Sequence, residues 1–172
     1  MQSKRSQRSV KLRRLILLAF LAMISLAGWQ QYVRWNFPPY SGLKWRQDQE
    51  ERVLEAVFRY QIREQRYSEQ PCFLSVQQAA PGASLMQRFK ADPFVLPLSV
   101  RFQSNAHGYV DQNTQLPALY FWADGIEWTS DTEASVSGGG GAAMKSGDAG
   151  EFSVHWKHGE WQVIQYERHA AF

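Results

Sequence analysis

The sequence predicts an α+β protein: an N-terminal transmembrane helix, then a domain in which one helix packs on a curved, mainly antiparallel β-sheet. Three observations lead there. A long uncharged run follows a basic tail. A single amphipathic helical pattern occupies residues 48–67. Beyond it, short segments rich in aromatic and β-branched residues alternate with turn sequences, which is how hairpins read. The 172 residues are enough for one such domain. The expected division is a basic cytoplasmic tail at 1–14, the transmembrane helix at 15–33, a linker at 34–47 and an extracytoplasmic domain at 48–172.

The charge is unevenly placed. The chain carries 19 Lys and Arg against 16 Asp and Glu, yet Lys4, Arg5, Arg8, Lys11, Arg13 and Arg14 all precede residue 15. Setting those six aside leaves 13 basic and 16 acidic residues, so the body is net acidic and nucleic acid is not an expected partner. Residues 15–33 are uncharged, 19 residues or about 28 Å as a helix, close to a hydrocarbon core of about 30 Å. Trp29, Tyr32, Trp35, Phe37 and Tyr40 cluster at its end as interfacial aromatics do. Six positive charges before the run and Arg34 alone after it orient the body away from the cytoplasm, an inner-membrane, periplasm-facing topology with the lipid bilayer as partner. The competing reading is a cleaved signal peptide, with Ser25-Leu-Ala27 near its cleavage site. Pro38, Pro39 and Gly42 then mark the linker.

In the 48–67 helix, Val53, Leu54, Val57, Phe58 and Ile62 share one side, with Ala56 and Tyr60 at its edge. Asp48, Arg52, Glu55, Arg59 and Arg63 lie opposite, with Glu55 and Arg59 a favourable i,i+4 pair. Gln61 intrudes on the apolar arc; it reads as an amide bonded to backbone, a ligand contact being the alternative. Pro71 opens a strand at 72–76, Ser84 is placed to cap a short helix ending near Phe89, and Leu98–Phe102 reads as strand. Residues 119–128 form a strand, Ser130-Asp-Thr132 a turn, and Ala134–Val136 a strand running into Gly138–Gly141. Lys145–Gly150 reads as a turn. Phe152, Val154 and Trp156 alternate with polar residues, Lys157–Glu160 turns the chain, and 161–166 returns.

Ile126-Glu-Trp128, Ala134-Ser-Val-Ser-Gly-Gly139 and Gly159-Glu-Trp-Gln-Val163, together with the 48–62 helix and Cys72–Val76, resemble the corresponding parts of an uncharacterised family of small membrane-anchored bacterial proteins. Their closing strands are similar to those of the nuclear-transport-factor-two-like (cystatin-like) superfamily. The resemblance covers roughly residues 48–172 and implies a curved sheet wrapped around helices as an open-mouthed cone. That superfamily holds isomerases, dehydratases and cyclase-like enzymes beside non-catalytic binding and assembly domains. Its catalytic motifs match no residues of this chain, so no catalytic residue is carried over. An anchor followed by such a domain also resembles the architecture of inner-membrane components of type IV secretion systems.

No residue pattern here specifies a catalytic, cofactor or metal site. His107, His155, His158 and His169 lack the spacing of helical metal ligands. Asp124 and Glu127, three apart on a strand, face opposite sides; Asp124 with His155 across the sheet is the remaining acid–base pairing. Gly138–Gly141 lacks the Lys-Ser/Thr of a phosphate loop and reads as glycines that bend a strand or admit a ring against bare backbone. Trp122, Trp128, Trp156 and Trp161 read as core, with a ligand-lined cone as the alternative. Cys72, the single cysteine, reads as a buried inert thiol. The expected role is a non-catalytic binding or assembly module meeting envelope proteins or itself; the alternative is a small-molecule-binding or lyase/isomerase cone. A deep polar cavity would favour the second, and a cone filled by tryptophans the first.

Overall fold

The computed structural model describes residues 22–33, 41–66, 69–105, 107–143 and 147–171. Residues 22–33 are helical (α1) and exposed along almost their whole length. The transmembrane helix expected over 15–33 is corrected by the structure: among the described residues, no helix is long and apolar enough to cross a membrane. With that helix fall the signal-anchor and single-pass readings that depended on it. Residues 1–21 and 34–40, including the basic tail, Trp35 and Pro38-Pro39, lie outside the described residues.

The body begins at α2 (Leu43–Gln65), five residues earlier than the apolar pattern indicates. The reason lies far along the chain. Asp131, in the turn expected at 130–132, receives the Gly42 N–H (3.1 Å) and the Arg46 Nε–H (2.9 Å) on its carboxylate, and the Trp45 indole N–H (2.8 Å) on its backbone oxygen. These bonds satisfy a donor at the helix start that no local side chain caps. Trp45 is thereby buried. Val53, Val57 and Phe58 are fully enclosed, as their spacing indicated, and Leu54 nearly so.

The strands are β1 (Cys72–Val76), β2 (Val95–Pro97), β3 (Phe102–Asn105), β4 (Gly108–Asp111), β5 (Leu119–Trp128), β6 (Glu133–Gly141), β7 (Gly147–Lys157) and β8 (Glu160–Ala171). They form a six-stranded sheet in the order β2-β1-β5-β6-β7-β8 and a separate β3-β4 hairpin. From β5 onward the sheet is the expected antiparallel meander. At the other side β1 runs parallel to both β2 and β5, which no local pattern announces. Register shifts at Ala123/Ile126, Ala149/Gly150 and Ser153/Val154 bend the meander, as bulges do. α2 crosses this bent face and packs chiefly against β8 and β5. The short helix α3 (Ala83–Gln87) starts after Gly82, and Ser84 donates to Glu51 of α2 instead of capping.

The glycines of β6 work as close-approach points. A Cβ on Gly138 would stand 3.0 Å from the Phe152 ring and 2.7 Å from Trp122 O, and one on Gly140 would overlap Phe121. On the face away from α2, Phe102, Tyr109 and Tyr120 cluster with centroids 5.0–5.7 Å apart and seat the β3-β4 hairpin on the sheet. That hairpin is locked by Asp111, itself buried, whose carboxylate accepts two bonds from Arg101 (3.1 and 2.6 Å) and one each from Asn113 N–H and the Thr114 hydroxyl. The guanidinium holds the Asp111 carboxyl below its usual range.

Candidate functional site

The space beneath the N-terminal half of α2 is filled. Trp45 meets Trp156 edge to face at 5.3 Å, Trp156 meets Trp161 at 5.6 Å, and Trp161 meets Trp128 at 5.5 Å. The Trp161 indole N–H is bonded to Gln49 Oε1 (3.3 Å), one of two buried glutamines of the helix. Three of the four tryptophans weighed as a possible cone lining are thus core or packed against it. Trp122 is half-buried and lies on the opposite face with Tyr109 and Tyr120.

The other candidates remain apart. Asp124 falls between Ala123, paired with Gly138, and Ile126, paired with Val136, so β6 separates it from β7. His155 instead lies opposite Glu133, with Nδ1 3.9 Å from its carboxylate. His158 sits in a two-residue turn with Gly159, both at positive φ (55° and 85°), closing β7 onto β8. Among the described residues no three His, Cys, Asp or Glu side chains converge as metal ligands. Cys72 is enclosed, its Sγ 3.4 Å from Gln70 O, and burial pushes the thiol up to about 12.

What the fold does leave open is a seam between α2 and β8. β8 ends the sheet, and no described strand pairs with its outer side. The two-residue turn makes Lys157 and Glu160 the closing hydrogen-bonded pair. Alternation along an antiparallel ladder then bonds His155 to Gln162 and turns the N–H and C=O of Trp161 and Val163 away from the sheet. Into that space open two adjoining hollows of about 500 and 210 Å³. The larger is bounded by Ala56, Arg59, Tyr60 and Arg63 of α2 and by Glu160, Trp161, Gln162 and Val163 of β8. Successive strand side chains point to opposite faces. Four consecutive residues therefore line one groove only because it runs along the strand's edge.

The helical wall is basic. Four arginines (52, 59, 63 and 88) and two glutamates (55 and 160) border the two hollows. Arg59 binds Glu55 (2.9 Å) and Arg88 O (2.9 Å), Arg88 binds Glu55 (3.1 Å), and Arg63 binds Glu64 (3.1 Å). The Arg59 and Arg63 side chains are 57% and 70% exposed, and ion pairs of that kind contribute at most about 1 kcal/mol each. These guanidiniums exchange partners at little cost. The helical spacing of Arg52, Arg59 and Arg63 was legible in the sequence; the open edge facing them was not, because it depends on which strand ends the sheet.

No family model matches the chain, and neither a curated protein nor a solved structure is found to be similar to it.

Proposed function

We propose that the domain is a protein-binding module that takes an extended, acidic segment of a partner chain as an added strand on β8. The carrying observation is the groove in which four consecutive β8 residues face an arginine-bearing stripe of α2. An added strand would find the unpaired main-chain groups of Trp161 and Val163 on one side and guanidiniums on the other. Main-chain bonds then supply affinity, and charge selects the segment. The tryptophan packing under the N-terminal half of α2 supports the same reading, since it fills that part of the space between helix and sheet. The role is binding and needs no catalytic group.

The test is fluorescence anisotropy on the full-length chain with a labelled eight-residue peptide of alternating valine and glutamate. The expected result is saturable binding that weakens with salt, as screened charges require. Arg59→Glu with Arg63→Glu should weaken it by about ten-fold or more, equivalent to about 1.4 kcal/mol. A peptide N-methylated on the amides that face β8 should not bind. Equal binding of a valine–lysine peptide, or preference for a single-stranded oligonucleotide over the acidic peptide, would overturn the proposal.

A further inference from the structure

The smaller of the two hollows beside β8, of about 210 Å³, lies at one end of the groove, where β7 turns into β8. Gly159, Glu160 and Trp161 form its strand side, and Arg52, Glu55 and Arg59 of α2 together with Arg88 form the facing wall. Beyond Trp161 the open edge stops. His158 and Gly159 take left-handed backbone and join β7 to β8, so an added strand finds no further main chain to pair with. A partner segment that reaches this point either turns away from the sheet or ends there.

Charge favours an end. Arg59 and Arg88 both bond Glu55 (2.9 and 3.1 Å), so one carboxylate answers two guanidiniums. Arg52 is exposed and, among the described residues, has neither a hydrogen bond nor an ion pair. Glu160 is the other acid at the hollow, but alternation puts its side chain on the strand face opposite that of Trp161. There the Gln162 amide donates to it (2.8 Å). The wall that faces Trp161 thus carries three positive charges against one negative.

Strand direction decides what arrives at that wall. β5 to β8 run antiparallel in succession, and β8 begins at Glu160, beside the arginines. A segment added antiparallel to β8 runs toward Glu160 and brings its C-terminal end into the hollow. One added in parallel brings its N-terminal end, whose ammonium the guanidiniums repel. A free α-carboxylate accepts charge-assisted bonds from guanidiniums, two from one fork where the geometry allows. An internal glutamate offers the same group only on a chain that also continues past the end of the edge. We infer that the segment β8 takes up is the C-terminus of the partner chain, laid antiparallel, with its α-carboxylate held among Arg52, Arg59 and Arg88. This rests on strand addition at β8 and adds to it the direction and the end of the partner chain.

The experiment is fluorescence anisotropy on the full-length chain with valine–glutamate octapeptides labelled at the N-terminus. One ends in a free carboxylate and one in an amide. A third ends in an amide and carries an extra glutamate at its N-terminal end, which restores the lost charge. The free acid should bind about ten-fold more tightly than either amide. Arg52→Gln removes a guanidinium that bonds no other described residue, so it should fold and melt as the parent does. In that variant the advantage of the free acid over the amide should shrink several-fold. Equal binding of free acid and amide would overturn the inference and leave strand addition standing. So would binding of the charge-restored amide as tight as that of the free acid, since total charge would then suffice, or an undiminished advantage in Arg52→Gln. Absence of binding by all three peptides would overturn strand addition and this inference with it.

Discussion

Replacing Gly139 by alanine places a methyl group inside the contact distance of the Asp148 carbonyl and 2.9 Å from Ala149 Cα, on the neighbouring strand. Both obstacles are main chain, so no rotamer change relieves them. Gly139 pairs with Ala149 in the β6–β7 ladder, and its carbonyl anchors the Gln61 amide. Making room therefore means parting the ladder or tilting that carbonyl away from α2. Overpacking of a well-filled site costs about 1–3 kcal/mol, and the backbone location puts this change at the upper end, about 3 kcal/mol. Gly125 is the control within the same sheet. A Cβ there meets nothing within 4 Å and its φ is not left-handed, so Gly125→Ala should be neutral or stabilise by up to about 1 kcal/mol through the unfolded chain. At roughly 3–5 °C per kcal/mol for a body of this size, thermal unfolding by circular dichroism should show Gly139→Ala melting about 10 °C low and Gly125→Ala at or slightly above the parent. Melting of Gly139→Ala within about 2 °C of the parent would refute the claim that close strand approach requires this glycine.

Asp111→Ala should cost about 2–3 kcal/mol in urea denaturation, because it strips the hairpin of four bonds at a buried carboxylate. Since Arg101 depresses the folded-state pKa of Asp111, its contribution is complete above the unfolded value of about 4 and is lost as pH falls through the lower folded one. The stability gap between parent and variant should therefore close in acid, and a gap constant down to strongly acidic pH would contradict this. Asp131→Ala should cost about 1–2 kcal/mol and fray the start of α2, read as faster amide exchange near Arg46; unchanged exchange there would contradict the long-range cap. Cys72 should stay unmodified by a thiol-specific disulfide reagent at pH 8 until the chain unfolds, since burial holds the thiol up to about 12; rapid labelling of the folded chain would contradict that.

What the sequence disclosed was local. The apolar arc of α2, the alternation of Phe152, Val154 and Trp156, and the His158-Gly159 turn all depend on residues within a few positions of one another. The glycine run was legible as a place of close approach, although which rings and strands press on it depends on pairing. The parallel insertion of β1 between β2 and β5 is non-local and left no periodic trace in five residues. Asp131 reads locally as a turn residue and becomes the start of α2 only through contacts 85–89 positions away. The apolar run at 15–33 invited a transmembrane reading through its length, its flanking charges and its aromatic cluster, and among the described residues no helix is long and apolar enough to cross a membrane. The β8 groove was invisible for a related reason: Arg59 and Arg63 look like a solvated helix face until the last strand is known to be the one beside them.

Amide hydrogen exchange along β8, in the free chain and at saturation with the valine–glutamate peptide, tests the account at the level of single bonds. The Trp161 and Val163 amides should exchange quickly in the free chain and become protected when the peptide is bound. The Gln162 amide, already bonded to β7, should be protected in both. Protection of Trp161 and Val163 before any peptide is added, or exchange that the peptide leaves unchanged, would contradict the claim that β8 offers an open edge for an incoming strand.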